Sequence, residues 1–297
     1  MSGRFAPSPT SDLHLGNLRT ALLAWLFARS TGRDFLVRIE DLDQARVAAA
    51  AGVAERQLAD LAALGIDHDG EVVRQSERLA LYEEALGRLE TYECFCSRKE
   101  IAEAAQAPHG SDHRPYPGTC RTLSDEERAE RGAVRAGAVR VRAGGARWTV
   151  SDELYGAVTG EVDDFVLRRG DGTYAYNLAV VVDDGAQGVD QVVRGDDLLS
   201  SAPRQAWLAA QLGITPPTYA HVPLAVNADG RRLAKRDGAV TLADLAAQGV
   251  TPERVLSQIA TSLGLADSTE PVTTALLLSR FDPAQLPRDP WVCQPAS

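Results

Sequence analysis

Apolar residues in this 297-residue chain recur at two periods, and the switches between them outline the elements. A short extended run at Arg4 to Ala6 leads through a polar loop into an apolar stretch at helical spacing, Leu18 to Arg29. "FLVRIE", Phe35 to Glu40, has strand chemistry and runs into the acidic "EDLD". Helical patterning returns over Arg46 to Leu64, closed by Gly65, and over Ser76 to Tyr92. Strand, helix, strand, helix is the order of a parallel α/β sheet, so residues 1–92 read as the first half of a Rossmann-like nucleotide-binding domain.

From Cys94 to Cys120 the sequence becomes rich in Pro, His and Gly, and the sheet pattern stops. Ser124 with Glu127 predicts a capping box on a short helix. "AVRVR", "RWTV" and "FVLRR" before the turn Gly170-Asp171-Gly172 predict antiparallel strands, so residues 93–188 read as an α+β insertion and the return from it. The α/β pattern resumes with "VDQVVRG", the helix "SSAPRQAWLAAQL" and the strand "HVPLAVN", which carry residues 189–240. Residues 241–297 read as a short helical region, with segments at Leu242 to Ala247, Pro252 to Leu263 and Thr273 to Leu278.

Composition narrows the class. At 44% hydrophobic residues the chain can bury a sizeable core. Its longest apolar stretches, Ala21 to Ala28 and Leu178 to Val182, fall well short of the roughly 20 residues a bilayer span needs. With no signal-like start, a cytoplasmic, monomeric protein without membrane contact is expected. The net charge of −10 argues against a surface coated for nucleic acid, although Arg135, Arg140, Arg142 and Arg147, the pair Arg168-Arg169 and the pair Arg231-Arg232 leave room for a local basic path. Three of the four cysteines lie within Cys94 to Cys120, which fits metal binding better than a disulfide framework. Cys94-x-Cys96 with Cys120 suits a structural tetrahedral zinc that needs one further ligand, and His113 is the ordinary chemical choice, ahead of His109.

"PSPTSDLHLGN", residues 7–17, places His14 and Gly16 directly before a helix, with Asn17 as its expected N-cap. Free N–H groups and the positive dipole end make such a mouth an anion site. Gly16 permits close approach of a phosphate, and His14 can donate a hydrogen bond to developing charge. Single histidines at His68 and His221, the isolated Cys293 and the doublet Asp183-Asp184 read as structural groups.

"GRFAPSPTSDLHLGNLRTAL" resembles the first signature of class I aminoacyl-tRNA synthetases in its glutamyl form. "LVRIEDLD", "YAYNLAVVVDDGAQGVDQVVRGDDLLSSAPRQ" and "LAKRDG" resemble that family's further blocks, in the same order, so the likeness runs from Gly3 to Gly238. It implies ATP-dependent activation of L-glutamate with Mg²⁺, with Arg4, Ser8, Glu40, Tyr176 and Arg194 matching the amino-acid-binding positions. It also implies ATP contacts from His14, Gly16, Asn17 and Lys235, the last in "RLAKR", which departs from the family's second signature by lacking its first lysine and its serine. Arg232 stands ready to supply part of that charge, and Ser11 replaces a usual glycine.

Too few residues follow the second signature for the expected anticodon-binding region, and with the cysteine-bearing insertion this resembles the truncated glutamyl-queuosine tRNA(Asp) synthetases. That subfamily transfers glutamate to the queuosine base at the wobble position of tRNA(Asp), and its zinc is held with a tyrosine matching Tyr116, beside Cys94, Cys96 and Cys120. A minimal glutamyl-tRNA synthetase charging the 3′ end of tRNA(Glu), and a noncatalytic tRNA or nucleotide binder, are the competing expectations.

Overall fold

Every residue of β1 (Ser2–Phe5) is buried, because parallel strands flank it on both sides: β2 (Asp34–Ile39) and β9 (Val189–Gly195). The computed structural model describes residues 1–97, 99–101, 116–231, 233, 240–267 and 270–293. Among them, β3 (Val73–Arg74), β6 (Ala146–Asp152), β7 (Gly156–Val162) and β10 (Thr218–Val222) complete a seven-stranded sheet ordered β3-β2-β1-β9-β10-β6-β7. Its pairings are parallel apart from the β6–β7 hairpin. The direction of winding reverses between β1 and β9, and such a reversal opens a crevice at the carboxyl ends of the strands.

Successive strand residues point to opposite faces, and the two faces of this sheet differ in kind. Phe35, Val37 and Ile39 of β2 pack with Leu18, Leu22 and Leu26 of α1 (Leu15–Ser30). Twelve of the sixteen residues of α1 are buried, so the helix needs cover on its outer side as well. The C-terminal helices α9 (Pro252–Ser262) and α10 (Thr274–Arg280) supply it, with Ile259 and Leu277 in the same core and the Phe27 and Phe281 rings edge to face at 5.1 Å. On the other face Ala202 and Ala206 of α7 (Ala202–Gln211) pack on Val189, Val192 and Tyr219, and α6 (Tyr176–Ala186) lies beside α7.

The antiparallel strands of the insertion divide between two sheets. β4 (Thr91–Cys94), β5 (Ala138–Val141) and β8 (Val166–Arg168) form a small sheet of their own. β6 instead joins the main sheet, where Asp152 stands opposite Tyr219 of β10. Helix α5 (Asp125–Val134) begins at the expected capping box, Ser124 with Glu127.

Two expected helices are shorter than their periodicity suggests. The stretch Arg46 to Leu64 divides into α2 (Gln44–Ala48) and α3 (Val53–Ala63), with Gly52 between them at φ +73°. Only Leu79–Gly87 of Ser76 to Tyr92 is α-helical, as α4, because Thr91–Cys94 pairs with β5. Beyond α8 (Leu242–Ala247) and the helices already named, the chain returns to pair β12 (Trp291–Val292) with β11 (Ala225–Val226). No described helix is long and apolar enough to cross a membrane.

Candidate active site and metal centre

A cavity of about 500 Å³ opens at the carboxyl ends of β1, β2 and β9. Ser8, His14, Gly16, Asn17, Glu40, Tyr176 and Arg194 all line it, although they lie up to 186 positions apart in sequence. Arg4 is not among the lining residues; it lies behind the wall. A second cavity of about 230 Å³ shares Ser8, Glu40 and Tyr176 and extends toward Arg46 and Arg169.

The phosphate-side loop is held from beneath. Gln57 of α3, almost fully buried, donates from Nε2 to the carbonyls of Ser8 (3.1 Å) and Ser11 (2.8 Å). No non-glycine residue among those described has positive φ, so Ser11 occupies ordinary backbone and its side chain strains nothing. His14, not Asn17, is the N-cap of α1. Its Nδ1 accepts from the N–H groups of Gly16 (3.1 Å) and Asn17 (3.3 Å), while Asn17 Oδ1 accepts from His14 N. With Nδ1 an acceptor, the neutral ring carries its proton on Nε2, which makes that atom a donor. A Cβ at Gly16 would stand 3.0 Å from His14 Cε1 and 3.1 Å from Ala225 Cβ. A side chain here would therefore press on His14 and on Ala225 of β11, so Gly16 also serves the close packing of the histidine against the helix end. Lys235 and Arg232 lie outside the described residues.

The face of the sheet opposite α1 carries charge. Arg4 Nε meets Asp184 Oδ1 at 3.3 Å, and Arg38 Nη1 meets the same oxygen at 2.8 Å. Asp183, fully buried, accepts from Arg78 Nε (2.6 Å), Gln75 Nε2 (2.8 Å) and Tyr82 OH (2.9 Å). The doublet, a structural group as its sequence suggested, is the centre of a buried ion network. Successive helical positions point in different directions, so the two carboxylates gather different partners, sharing Arg38, whose Nε lies 3.6 Å from Asp183 Oδ2. Burial favours the neutral acid of both Asp184 and Glu40, with opposite outcomes. For Asp184 the charges of Arg4 and Arg38 prevail and hold it below the ordinary range. For Glu40 the nearest cation among the described residues is Arg38 Nη2 at 3.5 Å, and burial, reinforced by Asp184 and Asp183, pushes it up to about 7. Glu40 Oε1 has no hydrogen-bond partner among the described residues. A primary ammonium entering the cavity meets this carboxylate's unmet need directly.

Arg194 is held at four points. Its Nη1 reaches Gln205 Oε1 (2.7 Å) and Tyr176 OH (3.4 Å), Nη2 reaches the Leu198 carbonyl (3.3 Å), and Nε donates to His221 Nε2 (2.9 Å). Four of the five guanidinium N–H groups are thus engaged within the protein, so a carboxylate entering the cavity would meet the remaining Nη2–H or replace the long 3.4 Å contact to Tyr176, at little orienting cost. Residue periodicity singled out neither Arg38, Asp152 nor Gln57. The one readable signal was the Arg38-x-Glu40 alternation, which puts both charges on the same strand face.

In the insertion, the sulfurs of Cys94, Cys96 and Cys120 lie within 4.8 Å of one another, with Cys96 and Cys120 at 3.5 Å. Tetrahedral zinc–thiolate bonds of about 2.3 Å place sulfurs about 3.8 Å apart, so the three donors suit such an ion. Tyr116 OH lies beside the group, 3.3 Å from Cys94 Sγ and 3.8 Å from Cys96 Sγ. Burial, followed by the Cys120 hydrogen bond, pushes the Cys96 thiol up to about 12. Thiolates this close are stable only around a cation. His113 and His109 lie outside the described residues. Of the arginines noted as a possible basic path, Arg140 stacks over the Tyr116 ring at 3.7 Å and Arg142 over Tyr92 at 4.8 Å, so both serve the insertion's own packing. The Tyr116 N–H donates to Asp163, which pairs with Arg204 of α7 at 2.7 Å and ties this knuckle to the main sheet.

A family profile described as "tRNA synthetases class I (E and Q), catalytic domain" matches residues 1–294. The glutamyl-Q tRNA(Asp) synthetase of Nocardia farcinica is 61% identical over 296 residues, covering 98% of this chain and 92% of that protein. That of Cutibacterium acnes is 59% identical over 270 residues, covering 91% and 78%. Among solved structures, the glutamate tRNA ligase of Elizabethkingia meningosepticum in complex with its amino acid superposes with a TM-score of 0.79 at 28% identity. The match covers 96% of this chain but 65% of that ligase.

Proposed function

The chain belongs to the class I tRNA synthetases of the E and Q type, and from that premise we propose that it activates L-glutamate with ATP and transfers it to the queuosine base at the wobble position of tRNA(Asp). One observation carries the reading: a single cavity joins the capped N-terminus of α1 to a cation-seeking carboxylate, Glu40, and a fixed guanidinium, Arg194.

In the first step a carboxylate oxygen of glutamate attacks the α-phosphorus of ATP, and pyrophosphate leaves with the bonding electrons. The attacking group is already ionised, so the enzyme supplies position and charge without a base. Glu40 takes the α-ammonium. Arg194, with Tyr176 and Ser8 beside it, takes a carboxylate, and Arg4 acts from behind the wall through Asp184. The N–H groups of Leu15, Gly16 and Asn17, expected to be free, are taken by the Val240 carbonyl and His14 Nδ1, so His14 Nε2–H and the positive dipole end of α1 are assigned to the phosphates, with Gly16 and Asn17 holding the ring in place. Lys235 is assigned to the ATP phosphates, and Mg²⁺ bound with ATP supplies further charge neutralisation. In the second step a ring hydroxyl of queuosine attacks the acyl carbon, and AMP leaves. Cys94, Cys96, Cys120 and Tyr116 would hold one zinc ion that stabilises the insertion fold.

The test is acylation with labelled glutamate on queuosine-containing tRNA(Asp), queuosine-free tRNA(Asp) and tRNA(Glu). Label on the first alone is expected. Equal labelling of both forms of tRNA(Asp) sinks the proposal, and label on tRNA(Glu) would install the minimal glutamyl-tRNA synthetase instead. Binding of tRNA with no glutamate-dependent ATP–pyrophosphate exchange would leave a noncatalytic binder.

A further inference from the structure

His221 looked like a lone structural histidine, yet it stands between two charged groups in a fully enclosed line. Its side chain is entirely buried; Asp152 and Arg194 are 3% and 5% exposed. His221 Nδ1 lies 2.6 Å from Asp152 Oδ2, and His221 Nε2 lies 2.9 Å from Arg194 Nε. A guanidinium N–H can only donate, so Nε2 must be the acceptor and Nδ1 must carry the ring proton. Asp152 is immobilised in turn. Its Oδ1 accepts from the N–H groups of Leu154 (2.9 Å) and Tyr155 (3.0 Å), and its Oδ2 also accepts from His221 N (3.1 Å).

We propose that Asp152 and His221 are positioning residues for the substrate-binding Arg194, with Asp152 selecting the imidazole tautomer that anchors the arginine. The inference rests on the reading of Arg194 as a contact to the carboxylate of glutamate. Asp152 is contributed by β6 of the insertion, so the hairpin that extends the main sheet also sets the aim of a pocket residue on β9. Tyr219 stacks on the His221 ring at 5.7 Å and restricts its rotation. Burial, ahead of the opposing Asp152 hydrogen bond, keeps His221 below its ordinary value, which agrees with a neutral ring at working pH. Reversal of the tautomer would set an Nε2–H against the Arg194 N–H, and the guanidinium would have to turn away.

Asp152→Asn is the decisive variant, because it keeps the shape and offers a donor where the histidine now requires an acceptor. The Michaelis constant for glutamate should rise about tenfold or more while that for ATP stays within about twofold. His221→Gln, which again offers an acceptor toward Arg194 and a donor toward Asp152, should recover much of the loss, whereas His221→Phe should not. In the wild-type protein, nitrogen chemical shifts should report His221 as the Nδ1–H tautomer. An Nε2–H tautomer, an unchanged constant for glutamate in Asp152→Asn, or equal rises for glutamate and ATP would overturn the proposal. Arg194→Ala separates the two layers. If it leaves the glutamate constant unchanged, the pocket assignment fails and the relay falls with it; if it raises that constant while Asp152→Asn does not, the relay alone is wrong.

Discussion

Affinity for glutamate should fall steeply below neutral pH, and the cause lies in how unevenly two carboxylates share two arginines. Asp184 takes the short contacts, 2.8 Å to Arg38 and 3.3 Å to Arg4, and leaves Glu40 an ion pair at 3.5 Å with a side chain only 9% exposed. Burial then pushes Glu40 up to about 7, against the pull of Arg38 and Arg4. If the substrate ammonium requires the ionised form, the competent fraction is about 0.9 at pH 8 and about 0.1 at pH 6, so the dissociation constant should rise about tenfold between them. Calorimetric titrations at pH 6, 7 and 8, each in two buffers of different ionisation enthalpy, would show both the weakening and a proton released on binding below pH 7. Glu40→Gln should bind more weakly throughout and lose the slope. A dissociation constant flat within twofold, or a slope that survives in Glu40→Gln, would refute the assignment of Glu40. The same shift makes a prediction for stability. An acid whose folded value exceeds its unfolded value of about 4.3 stabilises the fold below that pH. The contribution is lost as pH rises to about 7, on the order of 4 kcal/mol in all. Glu40→Gln should therefore be the more stable protein at pH 8 and should lose that advantage at pH 4.

Asp183→Ala strips Arg78, Gln75 and Tyr82 of their shared acceptor inside the protein and should cost about 3–5 kcal/mol in urea unfolding. A loss under about 1 kcal/mol would mean that the network relaxes around the gap. Metal analysis of the purified chain should find about one zinc ion, lost in Cys96→Ser together with a fall in melting temperature; Tyr116→Phe should weaken retention without abolishing it. Less than about half an ion per chain with intact thiols would count against a structural site.

Much of this protein is local information. The periods of "FLVRIE" and of the Leu18 to Arg29 helix, the Ser124 capping box and the Cys94-x-Cys96 spacing all act within a few residues, and the structure forms each of these elements. The ordered signature blocks likewise named residues that meet in one cavity. Other features needed the fold. His14 displaced Asn17 as the cap because α1 begins three residues before its apolar pattern, with Leu15 N bonded to the Val240 carbonyl across the chain. The helix over Ser76 to Tyr92 gave way to β4 because a partner strand was available 44 to 50 positions away. The charged face is the clearest case. Arg4 and Asp184 are 180 positions apart, and Asp152 and His221 are 69 apart. Spacing along a chain determines which residues share a face of one element, whereas only packing decides which two faces are pressed together without water. In that dry contact an arginine, a histidine or a pair of aspartates changes from an ordinary polar residue into a fixed part of the site.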